Sequence, residues 1–304
     1  MIHSITVTNY LGDSITLELA RPEQSGFIVK SVEGLGPAKG NVNTVEVSTN
    51  DGGVFNSARL NIRNPVLDLV FLETATETIE DIRHKSYKYF PVKKKVKLLI
   101  KTDNRVSEID GYVEHNEPAI FSNQEGCQIS IICPYPYFYS AGESNITVFS
   151  GVEPLFEFPF ENESLVTDLL EMGEIQNSAE QVITYNGDAE IGVTIIVYAI
   201  GEASNVTIYN AGTREVMRID TNKLAALTGE GIVAGDEITI KTTKGDKSIT
   251  LLRGGITTNI LNCLDKNADW FQLVKGDNVF VYTAETGNSN LQFRIENRVI
   301  YEGV

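Results

Sequence analysis

Residues 127–139 read Cys127-Gln128-Ile129-Ser130-Ile131-Ile132-Cys133-Pro134-Tyr135-Pro136-Tyr137-Phe138-Tyr139. The first seven form a β-strand rich in branched apolar side chains. Pro134 and Pro136 then each remove a ladder donor, so a central strand cannot continue through them. The stretch predicts a strand followed by a stiff, extended connector whose aromatics seal the interface between two domains. Charge changes at the same place. Residues 1–140 hold 14 Lys+Arg and 17 Asp+Glu, a net of −3, whereas residues 141–304 hold 11 and 24, a net of −13. We therefore expect two domains, 1–140 and 141–304, in this chain of 304 residues.

Cys127 and Cys133 stand six residues apart on that strand, roughly 20 Å, whereas bridged Cα atoms lie within about 7 Å. With Cys263 they make an odd set of three, which reads as buried free thiols rather than a disulfide framework. The net charge of −16 argues against a protein that coats nucleic acid. No apolar run approaches the roughly 18 residues of a membrane helix. Met1–Ile5 lacks the basic and apolar regions of a secretory leader, so synthesis in a cytoplasm is expected.

Most of the first half alternates with period two. Ile2–Thr8, Ser14–Leu19, Gly26–Val32, Val42–Val47 and Val66–Leu72 are predicted strands. Turn residues at Gly12-Asp13, Gly34-Leu35-Gly36-Pro37 and Asp51-Gly52-Gly53 separate some of them. Thr76–Phe90 differs, because Ile79, Ile82, Tyr89 and Phe90 sit near helical spacing. Glu77, Glu80 and Asp81 open it and Lys85 and Lys88 close it, matching the helix dipole, and Pro91 ends it. This is the one helix expected in the first domain.

Next, Val92, Val96, Leu98 and Ile100 alternate with Lys93, Lys95 and Lys97. A turn at Asp103-Asn104 would set Lys97 opposite Asp110, Lys93 opposite Glu114 and Leu98 opposite Ile109. One face is then apolar and the other carries pairs of opposite charge, each worth roughly 0.2–1 kcal/mol. The run Lys93-Lys94-Lys95 reads as a solvated hairpin face rather than a nucleic-acid site.

The second half is expected to be β throughout: Gln181–Tyr185, Val193–Ile200, Asn205–Tyr209, Glu237–Thr242, Ser248–Leu252, Trp270–Val274 and Val279–Thr283. Turns at Asn186-Gly187, Gly235-Asp236, Gly245-Asp246 and Gly276-Asp277 punctuate it. Short strands with regular punctuation and no long helix point to an antiparallel sandwich or jelly roll.

Catalytic chemistry is not legible. His3, His84 and His115 lack metal-ligand spacing, and no nucleophile elbow occurs. Gly34–Gly40 lacks the Gly-Lys-Ser/Thr ending of a phosphate loop, and Pro37 interrupts its donors. Asp265-x-Asn267-x-Asp269 opens like a calcium loop, but Trp270 stands where glycine is needed and Gly276 where a bidentate Glu is needed. The sequons at Asn145, Asn162 and Asn205 carry no meaning without a secretory leader. No enzyme, cofactor or metal is expected.

Several segments in order carry a resemblance: Asn9-Tyr10-Leu11-Gly12-Asp13, Gly34-Leu35-Gly36-Pro37, Tyr89-Phe90-Pro91, Gly111-Tyr112-Val113-Glu114 with Glu117-Pro118, and Ile131–Phe138. The second half adds Gly235–Ile240, Thr243–Lys247 and Trp270–Asn278. Together they resemble the distal tail protein family of long-tailed bacteriophages and related prophage or tailocin particles. The resemblance implies a mainly β fold, with an N-terminal split-barrel domain bearing one helix and a C-terminal galectin-like antiparallel sandwich. It implies a structural protein of the virion tail tip. Six copies would form a ring joining the tail tube to the baseplate and to the tail fibre or tail-associated lysin, with a receptor-binding protein as a further partner. Sequence charge assigns the ring contacts to the less charged half, and Lys93, Lys95, Lys97, Asp110 and Glu114 offer both signs for a head-to-tail contact. The alternative is a carbohydrate-binding adhesin whose sandwich grips host cell-wall sugars, with Trp270 as the sugar contact. A lone Trp disfavours it, since sugar sites usually present several aromatic platforms.

Overall fold

A computed structural model describes residues 1–46, 51–142, 144–153, 174–177 and 180–304. Val47 and the sequon at Asn162 lie outside the described residues. The chain divides into two compact units, residues 1–142 with 300–304, and residues 143–299. The sequence reading assigned everything after residue 140 to the second domain, whereas the chain contacts return 300–304 to the first unit. The reason is hydrogen bonding: Tyr139 and Ile300 are antiparallel strand partners.

The strands of the first unit are β1 (Ile2–Thr8), β2 (Ser14–Glu18), β3 (Phe27–Glu33), β4 (Gly40–Glu46), β5 (Gly53–Leu60), β6 (Val66–Phe71), β7 (Lys95–Thr102), β8 (Val106–Pro118), β9 (Gly126–Ile132) and β10 (Phe138–Ser140). Seven of them form a sheet in the order β2-β1-β7-β8-β9-β6-β3, and β10 pairs with β8. Every pairing is antiparallel. Alternation decides which face is buried. Ile5, Val7, Leu17, Leu69, Leu98 and Ile129 point into one core, and Ile82 of the helix joins them.

That helix, α1 (Ile79–Tyr89), starts where the acidic opening of the sequence predicts. Thr78 accepts from the Asp81 backbone N–H while the Asp81 carboxylate accepts from the Thr78 N–H, a reciprocal cap. Gly26 lets the helix approach: its φ is +81°, and a Cβ there would sit 2.8 Å from Ile82 Cδ1. Within the first unit the connector packs on its own elements. Phe138 is buried in the first unit's own core, and Tyr135 stacks on Tyr139 with ring centroids 5.4 Å apart.

β4 and β5 form a separate two-stranded hairpin. The strand over 53–60 was not foreseen, because its alternation is broken by a register shift between Asn43 and Thr44 of its partner.

The second unit contains β11 (Asn145–Val148), β12 (Ser150–Glu153), β13 (Glu174–Asn177), β14 (Glu180–Tyr185), β15 (Ile191–Gly192), β16 (Thr194–Ala199), β17 (Thr207–Asn210), β18 (Val216–Arg218), α2 (Thr221–Thr228), β19 (Glu237–Lys241), β20 (Ser248–Arg253), β21 (Ile256–Asn259), β22 (Gln272–Leu273), β23 (Gly276–Thr283) and β24 (Leu291–Asn297). One sheet runs β11-β24-β16-β19-β20-β21 and another runs β14-β23-β17-β18, with short pairs β12–β13 and β15–β22. Aromatic packing joins the two larger sheets. Tyr282 of β23 stacks on Phe293 of β24 at 3.8 Å, and the edge of Phe149 meets Tyr282 at 5.7 Å. Several elements were not placed by the sequence reading, among them β11, β12, β13, β15, β18 and β21. β24 lies between β11 and β16 although no strand was placed there, and the short α2 was unforeseen. Its Asp220 cap and the left-handed Gly229 at its end were both present in the sequence. The last strand, β25 (Ile300–Tyr301), pairs with β10 in the first unit.

Candidate functional site

The predicted charged face is built on β7 and β8, and its register is the one read from sequence: Lys97 opposite Asp110 and Leu98 opposite Ile109. The ion pairs, however, run diagonally. Lys95 Nζ meets Asp110 Oδ2 at 2.8 Å and Lys97 Nζ meets Glu108 Oε1 at 3.3 Å. The twist of neighbouring strands brings diagonal side chains together. The Asp110 hydrogen bond holds the Lys95 ammonium above its ordinary pKa.

Lys93 and Glu114 are not paired, which corrects that part of the expectation. Lys93 lies before β7 with a left-handed φ of 68°, and its N–H donates to the Val113 carbonyl at 2.8 Å. A register shift between Val113 and His115 displaces Glu114, which accepts from Ser130 Oγ at 2.7 Å. So Lys95, Lys97 and Asp110 share one face with Glu108, while Lys93 and Glu114 go elsewhere.

Beside this face lies a cluster that only the structure assembles. The Asn9–Asp13 turn between β1 and β2 is held by Asn9, whose side chain accepts from the Leu11 and Asp13 N–H groups, each at 3.0 Å. Asn9 Nδ2 also donates to the Lys88 carbonyl near the end of α1 at 3.1 Å, and Lys88 Nζ pairs with Asp13 at 3.1 Å. Lys94 Nζ stands 5.2 Å from the centre of the Tyr10 ring. Tyr10, Leu11 and Val92 are exposed there. Lys93 and Lys94 have no carboxylate partner among the described residues.

Arg63 was not singled out in the sequence, yet it joins two of the segments that carry the resemblance, Gly34–Pro37 and Ile131–Phe138. It is only 3% exposed. Its Nε donates to the Pro136 carbonyl, Nη1 to the Gly34 and Gly36 carbonyls, and Nη2 to the Glu302 carbonyl; three of these bonds measure 2.6 Å. The guanidinium also lies 4.5 Å over the Phe138 ring. Burial lowers its pKa from the ordinary arginine value. The glycine-rich loop therefore turns carbonyls toward a cation rather than N–H groups toward a phosphate. Gly34, with φ +76°, has no room for a side chain: a Cβ would sit 2.6 Å from the Asn64 carbonyl oxygen. The only sequence signal for Arg63 was its isolation between two strands.

Burial pushes the Cys127 and Cys133 thiols up to about 12. Asp265 pairs with Lys223 at 3.7 Å, and Asp269 accepts from the Val216 N–H at 3.1 Å. Trp270 is half-buried outside any strand, with Lys247 Nζ 5.0 Å from its ring centre. The aromatic that enters the core is its neighbour Phe271, set edge-on to Phe280 at 5.5 Å. A polar cleft of about 440 Å³ opens in the second unit around Ser204, Thr221, Glu230 and Thr286, with no aromatic in its lining.

The sequence matches no protein-family model and no curated protein. Its fold is similar to that of the SPP1 Dit (gp 19.1) protein, described as a paradigm of hub adsorption apparatus in Gram-positive infecting phages. The TM-score is 0.62 at 13% identity, covering 97% of this chain and 98% of that one. Two structures of the phage p2 baseplate in its activated conformation, one with Sr and one with Ca, are also similar. Their TM-scores are 0.47 and 0.49 at 12% identity, covering 97% of this chain and 97% of the first, and 98% of this chain and 98% of the second. The SPP1 likeness fixes the fold across nearly the whole chain, both units included.

Proposed function

We propose that this chain is a structural, non-enzymatic subunit of a phage tail tip. Copies form a hexameric ring that joins the tail tube to the baseplate and to the tail fibre or tail-associated lysin. The observation that carries this reading is the SPP1 Dit fold, shared over 97% of the chain. Two further features support it. The first unit carries a net −4 of the chain's −16, so it is the unit that identical copies bring together at least electrostatic cost. The cationic Tyr10–Lys94 cluster on that unit supplies a surface unlike the rest of an acidic chain.

Six copies of 33.5 kDa weigh about 201 kDa, so mass photometry of concentrated protein tests the reading directly. The expected result is a 201 kDa species that negative-stain images show as a six-fold ring, with antibody against residues 143–299 decorating its periphery. A chain that stays monomeric at every concentration and is missing from purified particles overturns it.

A further inference from the structure

The outward face of the sheet β11-β24-β16-β19 in the second unit carries an open cleft of about 290 Å³. Alternation decides which side chains line it. Ile195, Val197, Ile238, Phe293 and Ile295 are buried on the core side, so Ile196, Tyr198, Glu237, Gln292 and Arg294 stand on the other. The register sets them side by side. Tyr198 is the antiparallel partner of both Gln292 and Glu237, and Ile196 is the partner of Arg294, which also faces Val148. Partners of this kind bring their Cβ atoms to about 4.5–5.5 Å.

Two features single this cleft out. Tyr198 is 41% and Val148 47% exposed, so an aromatic ring and an apolar floor stay open to water on a sheet face that is ordinarily polar. The polar groups around them are idle: Tyr198, Glu237 and Gln292 make no side-chain hydrogen bond or ion pair among the described residues. Arg294 is already matched by Glu296 at 3.1 Å, which leaves Glu237 as the uncompensated charge of the lining.

That combination selects a ligand class. An anion would meet an acidic lining with no free cation. A purely apolar ligand would leave a phenol, an amide and a carboxylate desolvated and unpaired. A protein partner would place Glu237 in the middle of its contact, whereas interface cores are depleted of charge. A neutral saccharide fits. Its C–H face packs on the Tyr198 ring, Ile196 and Val148, and its hydroxyls, each both donor and acceptor, pair with the idle polar groups. Trp270, the aromatic first considered for sugar contact, lies outside this cleft and has Lys247 over its ring.

We propose that this cleft is a binding site for a neutral saccharide, with Tyr198 as the stacking platform and Gln292 and Glu237 as the hydroxyl partners. Its volume lies at the small end of ligand sites, with room for a pyranose ring whose chain continues through the open mouth. The site belongs wholly to the second unit, so it adds to the structural role and does not depend on ring formation.

Saturation-transfer NMR and calorimetry on the full chain test the site, with cellobiose, lactose, maltose and N,N′-diacetylchitobiose as probes. At least one disaccharide is expected to bind with a Kd on the order of 1 mM. Tyr198→Ala should weaken that binding at least tenfold, and Tyr198→Phe, which keeps the ring, should weaken it less. Glu237→Gln, which preserves shape and fold, should weaken it severalfold, and Trp270→Ala should leave it unchanged. No binding of any of the four at roughly ten times that concentration overturns the site. Binding that survives both Tyr198→Ala and Glu237→Gln also overturns it, as does binding that Trp270→Ala abolishes, because each puts the sugar elsewhere. If no sugar binds and Tyr198→Ala instead lowers self-association, the face is a contact between copies and the saccharide site is overturned.

Discussion

At the scale of single residues, Arg63 matters most to the first unit. Four backbone carbonyls from three separated segments point at one guanidinium, and each left without a donor costs about 1–3 kcal/mol. Arg63→Ala is therefore expected to destabilise the first unit by about 3–5 kcal/mol, the cost typical of breaking a buried charged network. Arg63→Lys should recover little, because a single ammonium cannot reproduce the planar fork. Denaturant unfolding followed by tyrosine fluorescence reads both. A second residue-level contrast lies at Trp270 and Phe271. Phe271→Ala should cost about 3–5 kcal/mol as a core truncation, whereas Trp270→Ala should cost under about 1 kcal/mol. Equal losses would place Trp270 in the core. Sequence could not separate these neighbours, because two adjacent aromatics fit either phase of an alternating strand and the short β22 begins only after both.

At the scale of elements, α1 was legible because its start, its charge gradient and Pro91 agreed. Its cap gives a prediction with a sign. The hydrogen bond from Thr78 holds the Asp81 carboxyl below its ordinary pKa. This stabilisation is complete above the unfolded value of about 4 and is lost as pH falls through the lowered folded value. Thr78→Ala should cost about 0.5–2 kcal/mol at neutral pH, and the loss should shrink on acidification through that window. A loss independent of pH would separate the threonine's role from the Asp81 charge. The β7–β8 register was equally legible, since a four-residue turn and matching alternation leave little freedom. The diagonal ion pairs were not, because strand twist is absent from a flat register. α2 was missed for its length: eight residues give too few turns for periodicity, although its Asp220 and Gly229 boundaries stood in plain sight.

At the scale of the whole molecule, the last residues belong to the first unit. Ile300 is buried, Tyr301 pairs with Phe138, and the Glu302 carbonyl accepts from Arg63. Deleting residues 300–304 is expected to destabilise the first unit by on the order of 3 kcal/mol while leaving the second unchanged. Calorimetry of the truncated chain should show one transition displaced and one unmoved. Displacement of both would mean that the units do not unfold independently. The sequence by itself determined the mainly β character, the position of α1, the β7–β8 register and the change of character near residue 140, because these depend on side-chain period, turn chemistry and charge along the chain. Tertiary structure alone decided that residue 63 is buried under carbonyls from distant segments, that β25 returns to β10, and that Lys94 reaches Tyr10. Each of these joins residues far apart in sequence, and no local pattern encodes which distant backbone a side chain will meet once the sheet has closed.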